Sequence, residues 1–424
     1  MSEILKDFFK FLEHSPSPWH AAHEITTRLL QEGFISLDEN DRWDLHAEGK
    51  YFVQRGGSLV AFCLPKKTPS HAVICASHTD SPCLKIKPHA EFRSHNMNLF
   101  RIESYGGPLL STWFDRDLAL AGQVYVDDEK KITQHLVFTK DHPMTIPSLA
   151  IHLQEKKDGV PIQYLNKQDH LCPLIGLSDT EQNSLEKIIK SHIKHEAVLG
   201  YDLYLVPTQA PTFLGSSKEL IGAYRLDNLS SAHASLRGLI EAKTQQESTI
   251  SMTAFWNHEE IGSHSREGAA SPFLEEVIKR ICLSLKINEE DFLRIKNKSL
   301  CVSLDVAHGF HPNFKDRYDP QDHPLLGHGI IIKQNANMLY ASTAHSIATI
   351  THLCQKNKIP YQLTASHSEI RGGSSVGPIA STAMGITTVD IGSALLAMHS
   401  TRELISTEDH LTLCKFTKIL FEKG

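Results

Sequence analysis

No stretch of this 424-residue sequence approaches the roughly 18 consecutive apolar residues that a membrane-spanning helix needs. None of its eight cysteines (Cys63, Cys75, Cys83, Cys172, Cys282, Cys301, Cys354 and Cys414) forms a CxxC pair, which speaks against a disulfide framework. Several lie in apolar, strand-like runs, where a free thiol packs as a small hydrophobe. Phosphate-cradling loops are missing as well: neither a Walker-type GK[ST] nor a GxGxxG is present. No nucleophile elbow supports a serine hydrolase. Positive charge is not in excess, with 43 Lys+Arg against 49 Asp+Glu and a net charge of −6, so a sequence-independent nucleic-acid binder is not expected. The N-terminal MSEILKDFFKFLEH mixes acids and bases among its apolar residues and does not read as a secretory signal. A reducing cytoplasm is therefore the expected compartment. The Asn228-Leu-Ser and Asn297-Lys-Ser triplets are then chance matches to a glycosylation site.

What is present is an ordinary globular balance, 41% hydrophobic and 22% charged, at a length that suits two or three domains at roughly 100–200 residues each. Ile4, Leu5, Phe8, Phe9 and Leu12 recur at helical spacing, and Ser17-Pro18 marks the start of a second helix that stops near Gly33. KYFVQRGGSLVAFCLP reads as a hairpin about Gly56-Gly57, and HAVICAS as a short buried strand. From about residue 224 helical and strand-like segments alternate through NLSSAHASLRGLIEA, STISMTAFW, SPFLEEVIKRICLSL, SLCVSLD, TAHSIATITHLCQKN, YQLTAS and ITTVDIG. Such alternation predicts an α/β domain with a mixed sheet covered by helices. Between these parts, LAGQVYVD, KITQHLVF and YDLYLV are short β-rich pieces, joined by one polar helical stretch at TEQNSLEKIIKSHIKHEA. We expect an inserted β-rich domain over 89–223, with 1–88 and 224–424 forming the α/β domain.

The 26 histidines direct attention to metal or proton chemistry, although most histidines in any protein are solvated or packed. The informative signal is positional, because several apolar strands run directly into a potential ligand. HAVICAS leads to His78-Thr79-Asp80, ISMTAFW to Asn257-His258-Glu259-Glu260, and SLCVSL to Asp305. Asp227 precedes a helix where the α/β pattern resumes, and His399 follows ITTVDIGSALLAM. In open α/β sheets ligands gather at the carboxyl ends of the strands, so these groups are candidates to converge. Two imidazoles and three carboxylates suit zinc, with manganese or cobalt as the other choices. A further glutamate beside a ligand glutamate has the position of a general base for an attacking water. Each piece alone has a plain alternative: a Glu-Glu pair is usually solvated surface, and a histidine after a strand usually a hydrogen-bonded rim residue. Gly372-Gly373-Ser374-Ser375 has the composition of an anion nest, but Ser374 is expected to act only as the cap of the following helix.

Longer motifs then point to a family. SPSPWHA (15–21), ASHTDSPCLKIKP (76–88), RLDNLSS (225–231), NHEEIGS (257–263), SLDVAHGFHPN (303–313), KQNANMLYAS (333–342), GGSSVGPI (372–379) and AMHSTRE (397–403) resemble, in order, the motifs of the aspartyl aminopeptidase/vacuolar aminopeptidase I family of dimetal aminopeptidases. The resemblance covers essentially the whole chain, with no departure at a ligand position. It lacks a propeptide-like extension, which favours the cytosolic kind of member.

The resemblance implies a zinc-dependent exopeptidase-like fold carrying an inserted oligomerisation domain. It implies two divalent ions bridged by Asp227, one completed by His399 and Glu260, the other by His78 and Asp305. Glu259 is implied as the general base and Asp80 as the partner that orients His78. Peptides are the implied substrates, with acidic N-terminal residues preferred, and Lys333 and His308 are implied near the pocket for that side chain. His152, which from the residues alone merely ends the short run IPSLAIHL, matches a histidine that reaches into the neighbouring subunit's active site. The implied assembly is a homo-oligomer, a tetrahedral dodecamer, with no nucleic-acid or membrane partner. Two other readings stand beside it: a deacylase or carboxypeptidase on the same scaffold, whose ligand motifs are spaced differently, and a non-catalytic assembly or cargo protein, which has no need of Glu259.

Overall fold

The strand His71–His78 is apolar along nearly its whole length and buried on both faces. Such a strand belongs in the middle of a helix-covered sheet, and the computed structural model places it there. The structure describes all residues except 1, 129–130, 158–159, 163–164, 178–182, 195–196, 244–246 and 371. By internal packing the chain forms two units, Met1–Asp80 with Pro211–Met398 and Glu403–Gly424, and Ser81–Ala210 with His399–Arg402.

The first unit is built on a nine-stranded mixed sheet. His71–His78 lies between Thr249–Trp256 and Leu300–Leu304, parallel to both, and Leu300–Leu304 is in turn parallel to Thr387–Gly392. The hairpin Lys50–Arg55/Ser58–Cys63 turns at Gly56, whose φ of 60° suits glycine. It extends the sheet antiparallel to Thr249–Trp256. Side chains alternate with the two-residue period of a strand. Val73 and Cys75 enter one core, with Leu5, Phe8, Phe11, Ile25 and Leu29 from the N-terminal helices Glu3–Glu13 and Pro18–Gln31. Ala72, Ile74 and Ala76 enter the other, with Phe273, Val277 and Ile281 from the helix Phe273–Ser284. A second sheet of five short strands includes Leu220–Ala223 paired with Glu403–Ser406.

The second unit is a six-stranded antiparallel sheet containing Cys83–Ser94, Met97–Tyr105, Leu118–Asp128 and Ala197–Pro207. The polar stretch at 180–197 contains the helix Ser184–His192, while residues 180–182 and 195–196 of it lie outside the described residues. No described helix is long and apolar enough to cross a membrane. All eight cysteines are buried and unpaired by disulfides.

The helix Leu226–Glu241 lies against the C-terminal helix Thr407–Lys423, where the Thr417 hydroxyl donates to the Ala234 carbonyl at 2.7 Å. A β-carbon on Gly238 would sit 2.6 Å from Thr417 Oγ1 and 2.8 Å from the Thr417 carbonyl carbon. Alanine usually stabilises an open helix position by up to about 1 kcal/mol over glycine, but overpacking costs about 1–3 kcal/mol. Gly238→Ala is therefore expected to lower the melting temperature; a higher one would show that the contact yields without cost.

Candidate metal centre

Three neighbouring strands deliver their last residues to one place because they are parallel and in register. His78 is the final residue of its strand and pairs with Trp256, and Thr79 N–H donates to the Trp256 carbonyl at 2.7 Å. The chain leaves Trp256 through His258, in the left-handed region at φ 66°, into the short turn Glu259–Ile261. The third strand ends at Leu304, and the next amide, Asp305 N–H, donates to Ile391 O at 2.9 Å. A β-carbon on Gly392 would stand 1.8 Å from the Asp305 carbonyl oxygen, so only glycine allows that approach. Asp227 comes from the kinked start of the helix Leu226–Glu241, where the Asp227–Asn228 peptide is cis.

The result is a ring of carboxylates about one imidazole. His78 Nε2 lies 3.3 Å from Asp227 Oδ1, 3.7 Å from Asp305 Oδ1 and 3.9 Å from Glu259 Oε2. Donor atoms of His78, Asp227 and Glu260 lie within 4.8 Å of one another. His78 Nδ1 is 3.0 Å from the Asp80 carbonyl oxygen, which can only accept, so Nδ1 carries a proton. Nε2 then meets the carboxylates either as a second N–H or as a lone pair. A lone pair facing carboxylate oxygens needs a cation between them. The donors are all oxygen or imidazole nitrogen, which fits zinc-type divalent ions.

Electrostatics agree with a site built for cations. Burial pushes Glu259 up to about 8, against the pull of His78 and with Asp305, Asp80 and Asp227 adding to it. Burial and the Asp227 charge push Glu260 well above the usual carboxylate range. Burial opposes a charge on His78, but the surrounding carboxylates, Glu259 foremost, outweigh it and hold its pKa well above the ordinary value. Carboxylates crowded into one site resist ionising together, and bound dications would reverse that balance.

The carboxylate of Asp80 holds two backbone amides: Oδ1 accepts from Glu259 N–H and Oδ2 from Glu260 N–H, both at 3.1 Å. Oδ1 is 3.5 Å from His78 Nδ1. One carboxylate thus holds the turn that aims both glutamates. Residues outside the candidate set complete the frame. Glu403, itself buried, accepts from Asp227 N–H at 2.9 Å. Arg225, at φ 65°, donates to the Ser15 and Thr79 carbonyls, and Asn228 Nδ2 donates to Leu304 O at 2.7 Å. The sequence signal was present, since Arg225 opens RLDNLSS and Glu403 closes AMHSTRE, but neither looks like a ligand. His258, next to the glutamates, instead bonds Ser265 Oγ at 2.7 Å through Nδ1.

Beside the centre, within the same unit, a cavity of about 300 Å³ is lined by His308, Arg317, Tyr318, Lys333, Tyr340 and His367 among others. Lys333 is 2% exposed, not a solvated loop residue. Its Nζ donates to Val306 O at 3.0 Å and stands 3.6 Å from Asp305 Oδ2. His308 is exposed. His399 belongs to the second unit, where its Nδ1 is 3.1 Å from Gly107 O. His152 is also in that unit, exposed on the turn Ile151–Leu153.

Two readings of the glycine-serine segment need correction. Ser375, not Ser374, caps the helix Val376–Met384, while Ser374 Oγ donates to Leu339 O at 3.1 Å. Gly373-Ser374-Ser375-Val376-Gly377 does spell GxSxG. Its central hydroxyl, however, donates to Asp390 at a helix start that does not follow directly on a strand, and the site is no nucleophile elbow.

Fold and donor set together define a metallohydrolase whose centre lies at the carboxyl end of a mixed α/β sheet. A family model described as Aminopeptidase I zinc metalloprotease (M18) matches residues 11–421. Two proteins named Probable M18 family aminopeptidase 2 are similar along nearly their whole length. The one from Pseudomonas paraeruginosa is 39% identical, covering 98% of this chain and 97% of its own. The one from Clostridium acetobutylicum is 38% identical, covering 96% of each. Among solved structures, the S. cerevisiae mApe1 dodecamer superposes with a TM-score of 0.87 at 25% identity, over 99% of this chain and 97% of that one. The chain belongs to the M18 family of zinc metalloaminopeptidases, and its reaction is the hydrolytic removal of N-terminal residues.

Asp80→Ala is expected to weaken divalent-metal affinity by about 10–100-fold, the usual cost of losing a group that orients ligands. Metal-buffered titration of the variant checks this, and unchanged affinity would show that the turn holds itself.

Proposed function

We propose that this chain is a dimetal aminopeptidase selective for acidic N-terminal residues, Asp and Glu. The observation that carries the selectivity is Lys333, a buried ammonium at the wall of the cavity and 3.6 Å from Asp305. Buried cations are retained where an anion meets them. Arg317, His308 and His367 line the same cavity and add to its preference for a carboxylate.

In this reading Asp227 would serve both ions, His78 and Asp305 would hold one, and Glu260 would hold the other with His399, the latter assigned from the AMHSTRE motif. Bound zinc-type ions supply the positive charge that acidifies water, polarises the scissile carbonyl and anchors the free α-amine. Glu259 accepts the proton of the attacking water and returns it to the leaving amine. Asp80 holds the Glu259 and Glu260 amides and thereby sets the base. Anchoring of the α-amine confines cleavage to the chain end. The compartment is the cytoplasm, in keeping with eight buried thiols.

The assembly proposed is a homo-oligomer, the tetrahedral dodecamer, with the inserted domain over 89–223 as its contact element. Leu149, Ile151 and Leu153 are 50%, 59% and 71% exposed around His152, an apolar run that suits coverage by another subunit. His152 then serves the partner's site, where an imidazole N–H holds the developing oxyanion, an interaction whose loss costs about 10²–10³ in rate.

Lys333→Met should raise KM for aspartyl and glutamyl substrates while sparing neutral ones. A panel of aminoacyl fluorogenic substrates measures this, and an equal loss across the panel would make Lys333 structural. Glu259→Gln should retain metal and lose about 10²–10⁴ in kcat. Mixed oligomers of Glu259→Gln and His152→Phe, verified by light scattering, should regain activity, because some sites receive an intact base and an intact imidazole. Mixtures that stay inactive would end the shared-site reading.

A further inference from the structure

Away from the catalytic centre, three potential ligands meet where the helices Leu226–Glu241 and Thr407–Lys423 pack together. His233 and His410 are 0% exposed and Cys414 is 5% exposed. His233 Nδ1 lies 3.0 Å from His410 Nε2, and His410 Nε2 lies 3.7 Å from Cys414 Sγ. All three donor atoms fall within 4.8 Å of one another. Around a tetrahedral zinc ion, Zn–N of about 2.05 Å and Zn–S of about 2.3 Å place nitrogens about 3.3 Å apart and nitrogen and sulfur about 3.6 Å apart. The two observed edges are within a few tenths of an ångström of these spans.

The surroundings are those of a ligand set. His233 Nε2 is 3.0 Å from Asp7 Oδ2, so Nε2–H donates to the carboxylate and Nδ1 keeps a lone pair, which without a metal accepts from His410 Nε2–H. This carboxylate–histidine arrangement fixes the tautomer and raises the basicity of a metal-binding imidazole. Asp7 is held in turn by Arg28 and Arg237, each at 2.9 Å. Phe8 stacks on the His410 ring at 3.8 Å between centroids, which fixes that ring's plane. Asp7 and both arginines line a surface cleft of about 640 Å³, so the carboxylate that holds His233 faces solvent on its other side. Burial pushes His233 down to about 4 and His410 well below its ordinary value, so both rings are neutral, the form that binds metal.

We propose that His233, His410 and Cys414 form a second, buried site for a thiophilic metal ion of the zinc type, separate from the catalytic centre and clamping the C-terminal helix to the helix Leu226–Glu241. Binding replaces the Cys414 thiol proton with a metal–sulfur bond and releases that proton to solvent, while the His410 proton moves from Nε2 to Nδ1, so that both facing nitrogens offer lone pairs. The three donors leave one position of a tetrahedral ion open, or complete a trigonal cuprous one.

The test is Co²⁺ loading of the metal-depleted full-length protein. The catalytic donors are oxygen and nitrogen alone, so a thiolate-to-cobalt charge-transfer band in the near ultraviolet reports a cysteine ligand and nothing at the active site. The wild type should show this band. Cys414→Ser should abolish it and bind one metal equivalent fewer by elemental analysis, while aminopeptidase turnover persists. Asp7→Asn should keep the band but weaken the Co²⁺ affinity it reports by about 10–100-fold. Zn²⁺ or Cu⁺ added in competition identifies the preferred ion by which one bleaches the band. Absence of the band in active cobalt-loaded enzyme, or its survival in Cys414→Ser, overturns the second site and leaves the catalytic reading untouched. A band in a protein whose Lys333 and Glu259 variants behave normally would do the reverse.

Discussion

Mutual repulsion among crowded carboxylates, buried or half-buried, is the constraint on which the organisation of this protein turns. Asp80, Asp227, Glu259, Glu260 and Asp305 surround His78 in a space where several of their charges cannot be separated by water. Left to themselves, such groups would spread apart or take up protons. They stay together because each is anchored through the backbone of a rigid element. Two parallel neighbours of His71–His78 present Glu259 and Asp305, and the register Trp256–His78 sets how far each chain end reaches.

The anchoring is done largely by main-chain hydrogen bonds to charged side chains that do not themselves look like ligands. Asp80 grips two successive amides, Glu403 grips the amide of Asp227, and Arg225 ties the Thr79 carbonyl to the N-terminal segment through Ser15. Charge-assisted bonds of this kind are stronger than neutral ones. Buried in a low-dielectric site, they hold the glutamates within the tolerance that metal chemistry demands. Lys333 extends the logic to the neighbouring cavity, where its ammonium is held between Val306 O, Asp305 and the Tyr340 ring.

Much of this was legible in the residues. The alternation of apolar strands and amphipathic helices after residue 224 foretold the helix-covered sheet. The abrupt endings HAVICAS–His78, ISMTAFW–Asn257 and SLCVSL–Asp305 marked where its parallel strands stop and polar side chains gather. The reason is local: apolar period and chain polarity specify both the strand and the end at which it stops. The burial of Lys333 was not legible, because a basic residue after three isoleucines reads equally well as the solvated end of a strand. The capping role of Ser375 instead of Ser374 depended on a one-residue choice that local propensity does not resolve.

The sequence by itself determined the class of fold, the family and the short list of polar residues at strand ends, since these follow from hydrophobic period and motif order along one dimension. Only the tertiary structure decided which of those residues meet. Asp80 caps a turn 179 and 180 residues away, and Asp227 leans on Glu403 at a separation of 176. His233, His410 and Cys414 come together only because two helices far apart in the chain pack side by side. Contacts of that range depend on packing among many residues at once, and no local pattern encodes them.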